Sequence, residues 1–213
     1  MNLKLIYYDF KNLRGYYFIP ILILYVLTPI LNVSMVKMSG SIENAYYLVF
    51  REAEKYLPIL STWWITFVFR EYIEGDGNEI LYCIDKTGKL KINQILFILI
   101  WYIFHVSILF LVYSVFWDNV FLQYIKIVIQ CLFFTSLIYM LIYTLKSTTV
   151  SFMILLIYEL FVLFMNSKIT NYISVFENGK LINIDTISSK YVAVLFISII
   201  LLIIGMIKNN KFY

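Results

Sequence analysis

The sequence predicts an all-α membrane protein with six transmembrane helices, an N-terminal interfacial helix and a cytoplasmic helix between spans two and three. Three observations carry that expectation. First, 62% of the 213 residues are hydrophobic and only 14% are charged, against roughly 25% charged in soluble domains. With a mean hydropathy of +0.84, a soluble fold cannot cover its own surface. Second, the apolar runs are continuous rather than alternating, the pattern of membrane helices and not of barrel strands. Third, one strongly charged interval, Phe69 to Ile95, separates two such runs. Gly75, Gly77 and Gly88 break it, and Asn78 to Ile84 has the pattern of a short amphipathic helix between the breaks.

The remaining totals exclude several classes. A net charge of +4 spread along the chain sets membrane orientation and does not point to nucleic acid. Cys83 and Cys131 belong to different depths, one in the charged interval and one in an apolar run, so no disulfide is expected. Two cysteines and one histidine give no metal-site spacing. The first apolar run starts near Tyr16 and continues too far for a signal core.

The elements follow in order. In the first fourteen residues, Leu3, Ile6, Phe10 and Leu13 recur at helical spacing with Asp9, Lys11 and Asn12 off the stripe, the signature of a helix lying on a leaflet. Residues 16–36 form the first span, which Pro29 is expected to kink. An outer connection follows over 37–56, in which Arg51, Glu52, Glu54 and Lys55 can pair along one helical turn. The second span, 51–70, borrows that charged turn to reach full length and places Trp63 and Trp64 within the membrane. The charged loop covers 70–91. The third span, 92–116, ends at the turn Trp117-Asp118-Asn119. Spans four and five, 120–145 and 150–165, are joined by the tight turn Lys146 to Thr149. Residues 166–190 are polar with short apolar patches and are expected to re-enter the outer leaflet without crossing, before the sixth span, 191–207.

Placing both termini in the cytoplasm puts ten Lys and Arg residues in inner segments and six in outer ones, as the positive-inside rule asks. The loop at 70–91 is then cytoplasmic. Inside the spans, Glu159 and His105 lie at similar depth, and a membrane acid is a functional-site hypothesis by default. The two residues either line a polar seam, or couple to protons, or serve a structural hydrogen bond between helices. Lys126, nearer the outer end of its span, is expected to snorkel to the headgroups.

This layout resembles the membrane-spanning subunit of a type-2 ABC exporter. Members often open with a Leu-x-x-Tyr-(Glu/Asp)-(Phe/Leu)-Lys-like segment, and Leu5-Ile6-Tyr7-Tyr8-Asp9-Phe10-Lys11 is similar. After the second span they often carry Glu-x-x-x-Gly and then Glu-x-Leu. Glu71, Gly75, Glu79 and Leu81 are similar, with one extra residue between Gly75 and Glu79. Where the family has a Pro and a Ser-Arg pair, this chain has Cys83-Ile84-Asp85-Lys86. The resemblance implies that the helix after span two couples to a separate ATPase, with Glu71, Glu74, Asp76 and Glu79 as polar contacts and Ile80, Leu81 and Ile84 as the buried face. It implies two permease chains, identical or different, and two ATPase chains, with ATP bound by the partner, since no Gly-x-x-x-x-Gly-Lys-(Ser/Thr) loop occurs here. It implies outward movement of an amphipathic or hydrophobic cargo, a peptide such as a bacteriocin or toxin, or a lipid-like compound, across a bacterial cell membrane. The chain itself is then no enzyme. A non-transporting scaffold or immunity protein is the alternative, and a membrane-embedded lipid enzyme is a further rival.

Overall fold

The structure is a computed structural model that describes residues 3–75, 89–164 and 174–210. The expected helix over 78–84 lies outside these residues, as do Asp76, Glu79, Ile80, Leu81, Ile84 and Cys83 and the start of the 166–190 segment. All regular structure among the described residues is helical. Among the described residues, four helices are long and apolar enough to cross a membrane: Arg14–Ser39, Lys91–Tyr113, Val120–Leu145 and Ile184–Asn210. A multi-pass membrane protein follows from these four alone.

Helix α1 (Leu3–Asn12) is amphipathic, as expected. Its stripe does not face lipid alone. Ile6 and the following Leu13 are buried in the protein, and the Phe10 ring stands edge-on to Tyr17, Trp64 and Phe97. The outward side shows Tyr7 and Tyr8. Helix α2 (Arg14–Ser39) is longer at both ends than the run 16–36, and its two prolines shape it. Pro20 has no N–H for the Tyr16 carbonyl four residues back; the Trp63 indole N–H donates to that oxygen instead, at 3.1 Å. Pro29 leaves a π-helical turn, Ile23–Leu27, immediately before it, and the Thr28 hydroxyl donates to the Ile23 carbonyl at 2.9 Å. The kink expected at Pro29 thus takes the form of a widened turn.

Gly40, with φ of 75°, ends α2, and Ser41 caps the next helix by accepting the Asn44 N–H. Helix α3 (Ile42–Leu60) therefore begins well inside the stretch read as an outer connection, and the run 51–70 is not one helix. Ala45, Val49, Phe50, Ala53, Leu57 and Leu60 form its buried face at three- and four-residue spacing. Pro58 weakens its last turn, and the hydroxyls of Ser61 and Thr62 donate to the carbonyls of Pro58 and Ile59. Helix α4 (Trp63–Glu74) then restarts the chain.

Helix α5 (Lys89–Tyr113) ends a few residues before Trp117, whose indole N–H reaches the Ile42 carbonyl at 2.8 Å. Helix α6 (Val120–Leu145) matches the run 120–145 and is bounded by Asn119 and Lys146 in left-handed conformation. It is the centre of the bundle, packed on α3, α5, α7 (Thr148–Phe164) and α8 (Ile184–Asn210). The α8 approach is close at Gly205, where a Cβ would collide with the Tyr139 ring, the close packing that small residues permit between membrane helices. Between α7 and α8, residues 174–183 are without regular structure and lie against α6 and α3.

Candidate functional site

The C-terminal end of α4, from which the charged loop departs, is held by three other helices. Asp9 on α1 accepts from the Tyr72 hydroxyl (3.1 Å) and from Gln94 Nε2 on α5 (2.7 Å), and Gln94 also donates to the Tyr72 oxygen at 2.8 Å. Asn12 on α1 donates to Glu71 at 3.1 Å. Glu74 turns the other way: its Oε1 accepts from the Thr148 N–H (2.8 Å), the Thr148 hydroxyl (3.0 Å) and the Ser147 hydroxyl (3.1 Å). An acid there satisfies the orphan amides at the start of α7 and meets the positive end of its dipole.

The electrostatics follow the geometry. Burial pushes the Asp9 carboxyl up, the bonds from Tyr72 and Gln94 draw it back down in part, and the Glu71 charge adds to the rise, leaving it at about 6. For Glu74 burial also acts upward, but hydrogen bonds from Thr148, Ser147 and Thr149 outweigh it and hold the group below the usual carboxylate range. Gly75 closes the elbow, since a Cβ there would collide with the Glu71 carbonyl. A cavity of about 440 Å³ opens beside it, lined by Asp9, Asn12, Tyr16, Phe67, Arg70 and Glu71 among others. Of the residues expected to contact an ATPase, Glu71 and Glu74 are described, and both already have partners within the chain. Tyr72 and Gln94 were not legible as site residues in the sequence, and Asp9 stood there only as a polar residue of the first helix. Asp9 was visible as the one acid in an apolar-striped first helix.

A second polar site lies at the opposite end of α6. Lys126 does not snorkel: it is 0% exposed and forms an ion pair with Glu54 of α3, itself 1% exposed. Glu54 therefore leaves the surface ladder expected with Arg51 and Lys55, in which only Glu52 serves as acceptor. The Glu54 carboxylate also accepts the backbone N–H groups of Glu177 (3.3 Å) and Gly179 (2.9 Å). Gly179 has φ of 77° and lies so near the α3 backbone that a Cβ would collide with the Tyr47 carbonyl. Gln123 donates to the Lys180 carbonyl at 2.9 Å, and Gln130 to the Val175 carbonyl at 2.9 Å. Gln123, Lys126 and Gln130 thus form one polar face of α6 that satisfies the irregular backbone of 174–180. Such backbone is tolerated at membrane depth only when protein covers it.

His105 and Glu159 do not meet. His105 Nδ1 lies 2.9 Å from the hydroxyl of Tyr25, within the π turn of α2, and Trp64, Trp101 and Phe104 stand edge-on around its ring. Glu159 is 5% exposed on the α7 face that also buries Thr148, Ser151 and Leu155. Among the described residues no hydrogen bond or ion pair links the two; His105 bonds across to Tyr25 of α2. No protein-family model, no curated protein and no solved structure matches this chain.

Proposed function

We propose that this chain is the membrane-spanning subunit of an exporter of the type-2 ABC kind, driven by a separate ATPase and moving an amphipathic or hydrophobic cargo outward. The observation that carries this reading is the anchored elbow. A force applied to the charged stretch 76–88 arrives at α4 and α5, passes through Asp9 to α1, and passes through Glu74 to the first turn of α7. An ordinary solvated loop needs no such fastening; a loop that transmits work does.

The end-to-end contacts support six crossings. One end of α6 lies by Ile42, Trp117 and Lys180, and the other by Glu74 and Ser147. The α3–α4 pair therefore runs the full length of α6 and counts as a crossing in two pieces. Helix α7, about 25 Å long at 1.5 Å per residue, crosses as the shortest span. Both termini then lie on the elbow side, the side richer in Lys and Arg. Two copies of the chain, or this chain and a second permease, complete the pathway with lipid around them.

The test is purification of the tagged chain from its native membranes in mild detergent. A co-purifying soluble chain with a phosphate loop and ATP hydrolysis is expected, and Glu79→Ala with Leu81→Ala is expected to reduce that association at least tenfold. A chain that purifies with no nucleotide-binding partner is a scaffold or immunity protein, and the exporter reading is then wrong.

A further inference from the structure

Helix α5 meets α2 chiefly at the π turn Ile23–Leu27. Beyond that turn α2 leans instead on α3, and a groove of about 420 Å³ is left between the second halves of α2 and α5. Its wall is apolar along Pro29, Val33, Leu109, Val112 and Phe116. Its one charged lining residue is Lys37, at the level where α2 ends and where Trp117 lies. Lys37 forms no ion pair among the described residues. At the floor, Asn32 Nδ2 donates to the Tyr113 hydroxyl at 2.7 Å, and its Oδ1 is buried without a partner.

We infer that this groove is a binding site for one anionic phospholipid. A recess of this shape within hydrocarbon does not stay empty, because its lining forfeits contacts that an acyl chain supplies. From Pro29 to Lys37 the groove runs about 12 Å along the axis, so a chain enters alongside Val33 and Leu109 while its head stays level with Lys37 and Trp117. Lys37 selects the sign of the headgroup. The groove opens just past the widened turn before Pro29, where α2 leaves α5 and packs on α3. This inference does not depend on the exporter reading; it requires only that the chain is embedded in lipid.

The test reads Trp117 fluorescence in vesicles of phosphatidylcholine and phosphatidylglycerol, with bromine on the acyl chains of one lipid at a time. Subtracting the Trp117→Phe signal isolates the groove from Trp63, Trp64 and Trp101. One lysine near the interface favours an anionic lipid by about fivefold, so brominated phosphatidylglycerol should occupy the groove about fivefold more readily than brominated phosphatidylcholine. Lys37→Gln, an exposed position, should bring the ratio close to one. Equal quenching by both lipids in the unaltered chain would reduce the groove to ordinary boundary lipid. A preference that survives Lys37→Gln would equally overturn the assignment.

Discussion

Glu54 and Lys126 are the two residues whose environment departs most from their chemistry. Each gives up water entirely, and a buried pair recovers that cost only through close geometry and further hydrogen bonds. Here the two amides from 177 and 179 supply the further bonds. Removing one partner leaves a bare charge, so Lys126→Met should cost about 3–5 kcal/mol of stability. Glu54→Gln combined with Lys126→Met, which removes both charges and keeps an oxygen for the amides of 177 and 179, should lose less than Lys126→Met alone. Unfolding midpoints of the two variants in detergent micelles check the pair, and a double variant as unstable as the single one would deny the coupling. Asp9 gives a second prediction at this scale. Its folded carboxyl, at about 6, lies above its unfolded value, so folding favours the protonated form. The sign is then fixed: stability is full below the unfolded value near 4 and declines as pH rises toward 6. Asp9→Asn should flatten thermal stability across pH 4–6.5, measured by the unfolding temperature at each pH. In the sequence, Gln123, Lys126 and Gln130 at i, i+3 and i+7 already marked one polar face on an apolar helix. A lysine read singly looks like a snorkelling residue; read with its two glutamines it belongs to the interior. Its partner Glu54, far earlier in the chain, was not legible, because nothing local distinguishes it from Glu52.

Helix boundaries were legible where a conformational signal ended them and obscure where a tertiary partner did. Helix α6 was delimited correctly because Asn119 and Lys146 flank it with turn residues on both sides. The α3–α4 break was missed because Pro58 alone does not fix where a helix stops; the hydroxyls of Ser61 and Thr62 do, and they act only once Leu57 and its neighbours are packed. Helix α2 shows the same interplay. Pro20 strands the Tyr16 carbonyl, and an indole from another helix takes it. Trp63→Phe should therefore cost about 1 kcal/mol in the presence of Pro20. In a Pro20→Ala background the cost should largely vanish, because the substituted alanine supplies the missing N–H. A double-mutant cycle on unfolding midpoints measures that coupling, and equal costs in both backgrounds would refute the explanation.

At the scale of the whole molecule, composition announced a membrane protein and could not say how many times the chain crosses. Hydropathy is a local sum, and it finds the four long apolar helices. The other two crossings of the proposed arrangement are hidden from it, one because it is built in two pieces with a charged first half, the other because it is short. Contacts between distant residues supply what the sum lacks. Trp117 bonded to Ile42 places one end of α5 beside the start of α3, and Glu74 bonded to Thr148 places the end of α4 beside the start of α7. The loop ends therefore sort into two groups separated by the length of α6. Single cysteines at Asn12 and Ser147 should react with an impermeant maleimide from the cytoplasmic side, and those at Asp118 and Lys180 from the opposite side. Glu71 and Gly75, the described start of the charged interval, belong to the first group through Asn12 and Glu74. If Asp118 and Ser147 label from the same side, α6 does not cross and the six-span arrangement falls. If the groups separate but Asn12 and Ser147 label from outside, the arrangement stands while the elbow faces away from ATP, and the exporter reading is lost.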